Sequence, residues 1–75
     1  MVRLSLNMGR KQGIRPNDIV GTIAFHADIP GSAIGKIFIQ DKHSLVDVPE
    51  TLLGQVLANT GNYRIRQQPV NVTLA

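Results

Sequence analysis

Cysteine and tryptophan are absent from this 75-residue chain, whose aromatic side chains are one tyrosine and two phenylalanines. Without thiols the protein forms neither a disulfide nor a thiolate metal site, which fits a reducing cytoplasm. Its apolar stretches are all four residues or fewer, whereas a membrane-spanning helix needs about 20. The N-terminus also lacks the apolar run of a signal peptide. We therefore expect a soluble, cytoplasmic protein with no membrane association, and no motif indicates a metal or another cofactor.

Length and charge narrow the function classes only slightly. A chain of 75 residues has room for one domain. A domain of about this size buries only about 60% of the surface that its unfolded chain exposes. Hydrophobic residues make up 43% and charged residues 17%, a balance typical of a folded protein. The net charge is +3 and the isoelectric point about 10.0, which is a weak indication of nucleic-acid binding.

The first half of the chain predicts a strand, a loop, a helix and a second strand. Residues 2–7 alternate apolar and polar, the period of a half-buried strand. Residues 8–13 hold two glycines and two adjacent cations, which is typical of a basic loop. Apolar side chains recur at helical spacing over residues 16–27, with proline at the start. Residues 34–40 are rich in β-branched side chains and predict strand two.

The second half predicts a hairpin, another helix and a last strand. Strand three covers residues 44–48, after a hairpin connection at residues 41–43. Pro49 opens a second helix, which Gly61 would end. The remaining apolar alternation predicts a final strand that is interrupted at residues 67–69.

This β-α-β-β-α-β order is that of the ferredoxin-like split βαβ fold. We expect an α+β domain with two helices on one face of a four-stranded antiparallel sheet, and strands one and three in its centre. The other face is left open. An RRM has the same architecture and binds single-stranded RNA on its open face, where bases stack on aromatic side chains of the central strands.

The predicted open face lacks that aromatic platform. Ser5 stands where strand one would carry a ring, and in residues 41–48 only the valine fits the RNP1 pattern, with His43 as a partial substitute for an aromatic. The fold is therefore predicted to be a degenerate RRM. The outward positions are Arg3, Ser5, Asn7, Lys36, Phe38, Gln40, Leu45 and Asp47.

Two segments resemble the signatures of a known family. Residues 9–21, GRKQGIRPNDIVG, are similar to the first signature of the C-terminal RNA-binding domain of bacterial DEAD-box RNA helicases of the DbpA/CsdA type. Residues 34–37, IGKI, and residues 41–49, DKHSLVDVP, are similar to its second signature. The resemblance implies that residues 1–75 are one RRM-like RNA-binding domain and a fragment of a longer helicase.

The resemblance also implies a role. The domain would follow two RecA-like helicase domains and anchor them on structured RNA, either ribosomal RNA or a broader set. The ATPase would lie outside this chain, because the chain has neither a phosphate-binding G-x-x-x-x-G-K-[ST] loop nor an Asp-Glu-Ala-Asp box. The resemblance and the loop charges together make eight residues candidates for RNA contact: Arg3, Arg10, Lys11, Arg15, Lys36, Phe38, Lys42 and His43.

Two other hypotheses from the sequence concern catalysis and protein–protein contacts. His43, Ser44 and Asp47 have the residue types of a catalytic triad, but neighbours on one strand point to opposite faces, so the domain is not predicted to be an enzyme. The alternative function is protein interaction, with a weak homodimer formed through the edge strand at residues 34–40 and an exposed Phe38.

Overall fold

The computed structural model describes all 75 residues. It has two α-helices, six strands and three short 3-10 turns. The strands are β1 (Val2–Leu6), β2 (Ile37–Ile39), β3 (Ser44–Val48), β4 (Arg64–Ile65), β5 (Gln68–Pro69) and β6 (Val72–Leu74). The helices are α1 (Pro16–Ala27) and α2 (Leu53–Ala58), and the 3-10 turns are Arg10–Gln12, Gly31–Ala33 and Glu50–Leu52.

The main sheet has four antiparallel strands in the order β2-β3-β1-β6. Both helices pack on one face of this sheet, and the predicted α+β, RRM-like fold with β1 and β3 in the centre is confirmed. Register decides which side chains share a face: Arg3 lies opposite Asp47, and Leu4 lies opposite Val46. Because successive residues of a strand alternate, the first pair faces outward and the second enters the core.

The core forms between the helices and the inner face of the sheet. Its largest fully buried side chain is Tyr63, whose hydroxyl donates a hydrogen bond of 2.6 Å to the Val56 carbonyl. The other contributors are apolar residues from the two central strands and α1, and they include Leu4, Leu6, Ile19, Ile23, Val46 and Val48.

Strand two and helix two are shorter than the sequence predicts. β2 covers only Ile37–Ile39, because the Gly35 N–H donates to the Asp47 carbonyl while the Asp47 N–H donates to the Lys36 carbonyl. Gly35 and Lys36 thus lie opposite the single residue Asp47. This is the arrangement of a β-bulge, and it ends the regular ladder. Helix two begins with a 3-10 turn after Pro49, and only Leu53–Ala58 is α-helical.

The last part of the chain forms a separate hairpin before the final strand. β4 and β5 pair with each other, and only β6 joins the main sheet. The turn residues Arg66 and Gln67 have φ angles of 53° and 67°, the left-handed conformation that a two-residue type I′ hairpin requires. The longest helix, α1, has 12 residues, and no helix is long and apolar enough to cross a membrane.

Candidate nucleic-acid interface

Two loops meet at the end of the sheet where β1 ends and β3 begins. The Arg10 N–H donates to the Gln40 carbonyl at 2.6 Å, and the Lys11 N–H donates to the Asp41 carbonyl at 2.9 Å. These bonds join the β1–α1 loop to the β2–β3 hairpin. We call the exposed part of this region, residues 10–13, 15 and 40–43, the loop–hairpin surface.

Gly9 is the point of closest approach between the two loops. A Cβ atom at this position would overlap the Gln40 carbonyl oxygen and would lie 2.6 Å from the His43 nitrogen. No side chain fits there, so the glycine is explained by backbone packing. The glycine at position 13 is explained by backbone conformation instead. Its φ of 76° lies in the left-handed region, and a Cβ there would meet no other atom.

Buried polar contacts fix the base of this surface. The Ser44 hydroxyl, fully buried, donates a 2.7 Å hydrogen bond to the Met8 carbonyl. The Gln12 side chain accepts a 2.8 Å hydrogen bond from the Gly9 N–H. Ser44 is thus a structural link between β3 and the loop, and it is not aligned with His43 or Asp47 for catalysis.

Arg10 is held by contacts within the protein. Its guanidinium group donates to the Ile39 carbonyl at 3.1 Å and lies 3.7 Å from the Asp41 carboxylate. Alternation along β2 directs the backbone groups of Phe38 toward β3 and those of Ile39 toward the outer edge. Arg10 therefore covers part of this edge and clamps the hairpin, while 72% of its side chain stays exposed.

Three other cations of this region have no acidic partner within 4 Å: Lys11, Arg15 and Lys42. Lys11 and Lys42 flank the joined backbones of the two loops, and Arg15 is the residue before α1, where its N–H donates to the Asp18 carboxylate. A shallow depression of about 520 Å³ lies beside them. Its lining consists of Arg10, Ile39, Gln40, Asp41, Lys42 and His43.

The structure thus brings five of the eight candidates together: Arg10, Lys11, Arg15, Lys42 and His43 all lie at one end of the sheet. Gln40 and Asp41 line the depression together with Arg10, Lys42 and His43, although the sequence did not single them out as contacts. Their position at the tip of the hairpin was the available signal, because tip residues project beyond the sheet.

The remaining three candidates, Arg3, Lys36 and Phe38, lie on or beside the open face of the sheet. Arg3 donates two hydrogen bonds to the Asp47 carboxylate, of 2.9 and 3.3 Å, and its guanidinium carbon lies 4.9 Å from the centre of the Phe38 ring. The hydrogen bond from Arg3 holds the pKa of the Asp47 carboxyl below its usual value and raises the pKa of Arg3. This part of the surface therefore carries paired charge.

Comparison with known proteins identifies the family. The family model described as the DbpA RNA binding domain matches residues 3–74. The chain is 35% identical over 69 residues to the ATP-dependent RNA helicase DeaD of Escherichia coli strain K12, a match that covers 92% of this chain and 11% of the relative. The protein of the same name from Buchnera aphidicola is 29% identical over 69 residues, with 92% and 12% covered. The chain belongs to the DbpA RNA binding domain family.

Proposed function

We propose that this domain binds structured RNA through the loop–hairpin surface. The observation that carries the proposal is the pairing of two loops by backbone hydrogen bonds, which holds Lys11 and Lys42 close together with neither cation bound to an acidic side chain. Unpaired cations on a fixed backbone suit phosphate groups, because each contact releases counterions and no internal salt bridge must first be broken.

The members of this surface would have different tasks. Lys11, Arg15 and Lys42 would contact phosphates, and Arg10 would hold the hairpin in place while its exposed edge reaches the RNA backbone. The depression beside them offers the imidazole of His43 and the amide of Gln40. These groups would contact one or two bases that project from a loop or bulge, since RNA-binding proteins recognise such unpaired bases by their edges and faces.

We further propose that the domain anchors a longer ATP-dependent RNA helicase on its substrate. The support is the match to DeaD proteins, of which this chain spans only about a ninth. The ATPase would lie in the preceding RecA-like domains of a cytoplasmic protein, and ribosomal RNA would be one target. The domain itself would supply binding and no catalysis.

The salt dependence of RNA binding tests the loop–hairpin surface. We expect Lys11→Ala with Lys42→Ala to weaken binding to a ribosomal RNA hairpin about tenfold and to lower the slope of log K against log salt by about one for each lost phosphate contact. The measurement is a fluorescence-anisotropy titration at several salt concentrations.

Arg64→Ala is the matched control. Arg64 lies on β4 and is not one of the residues of the loop–hairpin surface, and it is also exposed and without an acidic partner within 4 Å. Its removal lowers the net charge by one but should leave the slope unchanged. If the control lowers the slope by half as much as the double lysine variant does, each lost charge counts equally, binding follows net charge alone and the proposal is wrong. An unrelated hairpin of equal length tests the preference for ribosomal RNA.

Homodimerisation through β2 stays the alternative function. The free edge of β2 is three residues long, and Arg10 already occupies the outward carbonyl of Ile39, which leaves few groups for a second copy. Sedimentation of the RNA-free protein at micromolar concentration tests it. A dimer that Phe38→Ser disrupts would favour the alternative over RNA binding.

A further inference from the structure

We propose that the guanidinium group of Arg3 is a stacking platform for one unpaired base on the open face of the sheet. This inference rests on the proposed RNA-binding function and adds a second contact to it, separate from the loop–hairpin surface. The ligand would be a single-stranded stretch of RNA that runs across the central strands.

The geometry fixes Arg3 as a flat surface. The side chain crosses β3, because Arg3 on β1 lies opposite Asp47 whereas Phe38 lies on β2, the strand beyond. Asp47 binds the edge of the guanidinium plane through Nε and one terminal nitrogen. The guanidinium carbon lies over the Phe38 ring, 4.9 Å from the ring centre. The two hydrogen bonds to Asp47 and the ring beneath together hold the guanidinium group in place.

The other face of the plane is left for a ligand. The Arg3 side chain is 48% exposed although three of its atoms take part in contacts with Asp47 and Phe38. Since the ring lies on one side of the guanidinium group and the carboxylate binds its edge, we infer that the exposed part includes the side turned away from the ring. Bases stack on arginine guanidinium planes as they do on aromatic rings.

The same geometry changes the expected role of Phe38. The sequence suggests that this ring itself stacks on RNA, but Arg3 lies over it. Phe38 and Asp47 are therefore positioning residues, and Arg3 is the group that touches the base. The ring missing at Ser5, the neighbouring outward position on β1, is replaced in function by a guanidinium plane two residues earlier on the same strand.

The charges nearby favour stacking over phosphate binding at this point. Asp47 neutralises Arg3, so the pair offers little net attraction to a phosphate. Lys36 has no acidic partner within 4 Å and its backbone carbonyl accepts a hydrogen bond from Asp47. A phosphate beside the stacked base would meet Lys36, which lies two residues before Phe38 along the chain.

Substitution of Arg3 by lysine tests the platform, since Arg3→Lys keeps the charge and removes the plane. The probe is a short single-stranded oligoadenylate that contains one 2-aminopurine, whose fluorescence falls when it stacks. We expect Arg3→Lys to weaken binding by roughly 5- to 150-fold, the range for one lost base–side-chain stack. The quenching should disappear, and the salt slope should stay as in the parent protein.

The combined Lys11→Ala and Lys42→Ala variant is the matched control. It should lower the salt slope and retain the quenching, because it removes phosphate contacts and leaves Arg3 in place. Thermal unfolding of each variant shows that it is folded, and the Nε–H resonance of Arg3 in the parent protein should shift when the oligonucleotide is added.

The two proposals fail in different ways. Unchanged affinity and quenching in Arg3→Lys would overturn the stacking platform while leaving the loop–hairpin surface intact. A lysine double variant with an unchanged salt slope would overturn the loop–hairpin surface, and loss of quenching in Arg3→Lys would then still support the platform. Parent protein that binds the oligonucleotide without a shift of the Arg3 resonance would also overturn the platform.

Discussion

The domain contains two hairpins that are held to the rest of the protein in opposite ways. The β2–β3 hairpin is part of the main sheet, and its tip is fixed by backbone hydrogen bonds to Arg10 and Lys11. The β4–β5 hairpin lies outside that sheet. Side chains hold it: Thr22 accepts a 3.1 Å hydrogen bond from the Arg64 N–H, and Asp18 lies 3.7 Å from Arg66.

The difference affects the charge that each hairpin presents. Backbone bonds leave side chains free, so Lys42 at the tip of β2–β3 has no acidic partner within 4 Å. The β4–β5 hairpin is attached partly through a side chain at its tip, because Arg66 pairs with Asp18. Of these two tip cations, Lys42 is therefore the one that is available to a ligand. For this reason we place the RNA contact on the first hairpin.

The largest expected effect comes from the backbone contact of the first hairpin. Gly9→Ala places a Cβ against the Gln40 and His43 backbone, and the two loops cannot separate without loss of the hydrogen bonds from the Arg10 and Lys11 N–H groups. We expect the free energy of unfolding to fall by about 3 kcal/mol and RNA affinity to fall with it. Urea denaturation followed by circular dichroism measures the first effect.

Gly13→Ala is the control for that prediction. It lies in the same loop and has a φ of 76°, but its Cβ would meet no other atom. We expect a loss of about 1 kcal/mol, the cost of a left-handed conformation. Equal losses in the two variants would show that backbone conformation, and not the close approach of the two loops, decides stability here.

A smaller effect is expected at Tyr63, which precedes β4 and accepts a hydrogen bond from the Val70 N–H through its carbonyl. Burial raises the pKa of the Tyr63 hydroxyl to about 12. The folded-state pKa thus lies above the unfolded value of about 10, so the stabilisation is complete below about pH 10 and is lost as the pH rises toward 12. We expect a loss on the order of 2 kcal/mol across that range.

Tyr63→Phe isolates this titration, because the protein has one tyrosine and the variant differs from the parent only in that hydroxyl group. The parent should be the more stable protein below about pH 10, and its advantage over the variant should fall and change sign as the pH rises from about 10 to about 12. A constant difference would contradict the prediction. At neutral pH the variant should be less stable by about 1 kcal/mol, since the Val56 carbonyl loses its buried donor.

The smallest effect is expected at the turn of the second hairpin. Gln67 has a φ of 67°, and glycine adopts this conformation without the side-chain penalty. Gln67→Gly should raise the free energy of unfolding by about 0.5 kcal/mol, because the added entropy of the unfolded chain offsets part of the relief. RNA affinity should not change. A variant that lost RNA affinity would show that the second hairpin also takes part in binding.

Patterns of local origin were the most predictable from the sequence. The bounds of α1 and β3 agree with the predicted residues, since proline, helical spacing and β-branched residues act over a few positions. The bulge at Asp47 that shortens β2 and the separate β4–β5 hairpin were missed. The bulge depends on hydrogen bonds between residues far apart in the chain. The hairpin forms around a turn without the usual glycine.

The candidate contacts show the same division. The sequence named Arg3, Arg10 and Phe38 as exposed side chains, and exposure follows from strand and loop patterns. It did not predict that Arg10 binds the Ile39 carbonyl or that Arg3 lies over Phe38. These contacts join residues that are 29 and 35 positions apart, and no local pattern encodes them.

The sequence by itself determined the order of strands and helices, the positive charge and the family, because these follow from periodicity, composition and contiguous signatures. Only the tertiary structure decided which cations are free. Strand register places Arg3 opposite Asp47, and the close approach at Gly9 sets Lys11 beside the hairpin that carries Lys42. A charge attracts a phosphate according to what surrounds it in space, and the surroundings are fixed only when distant segments pack together.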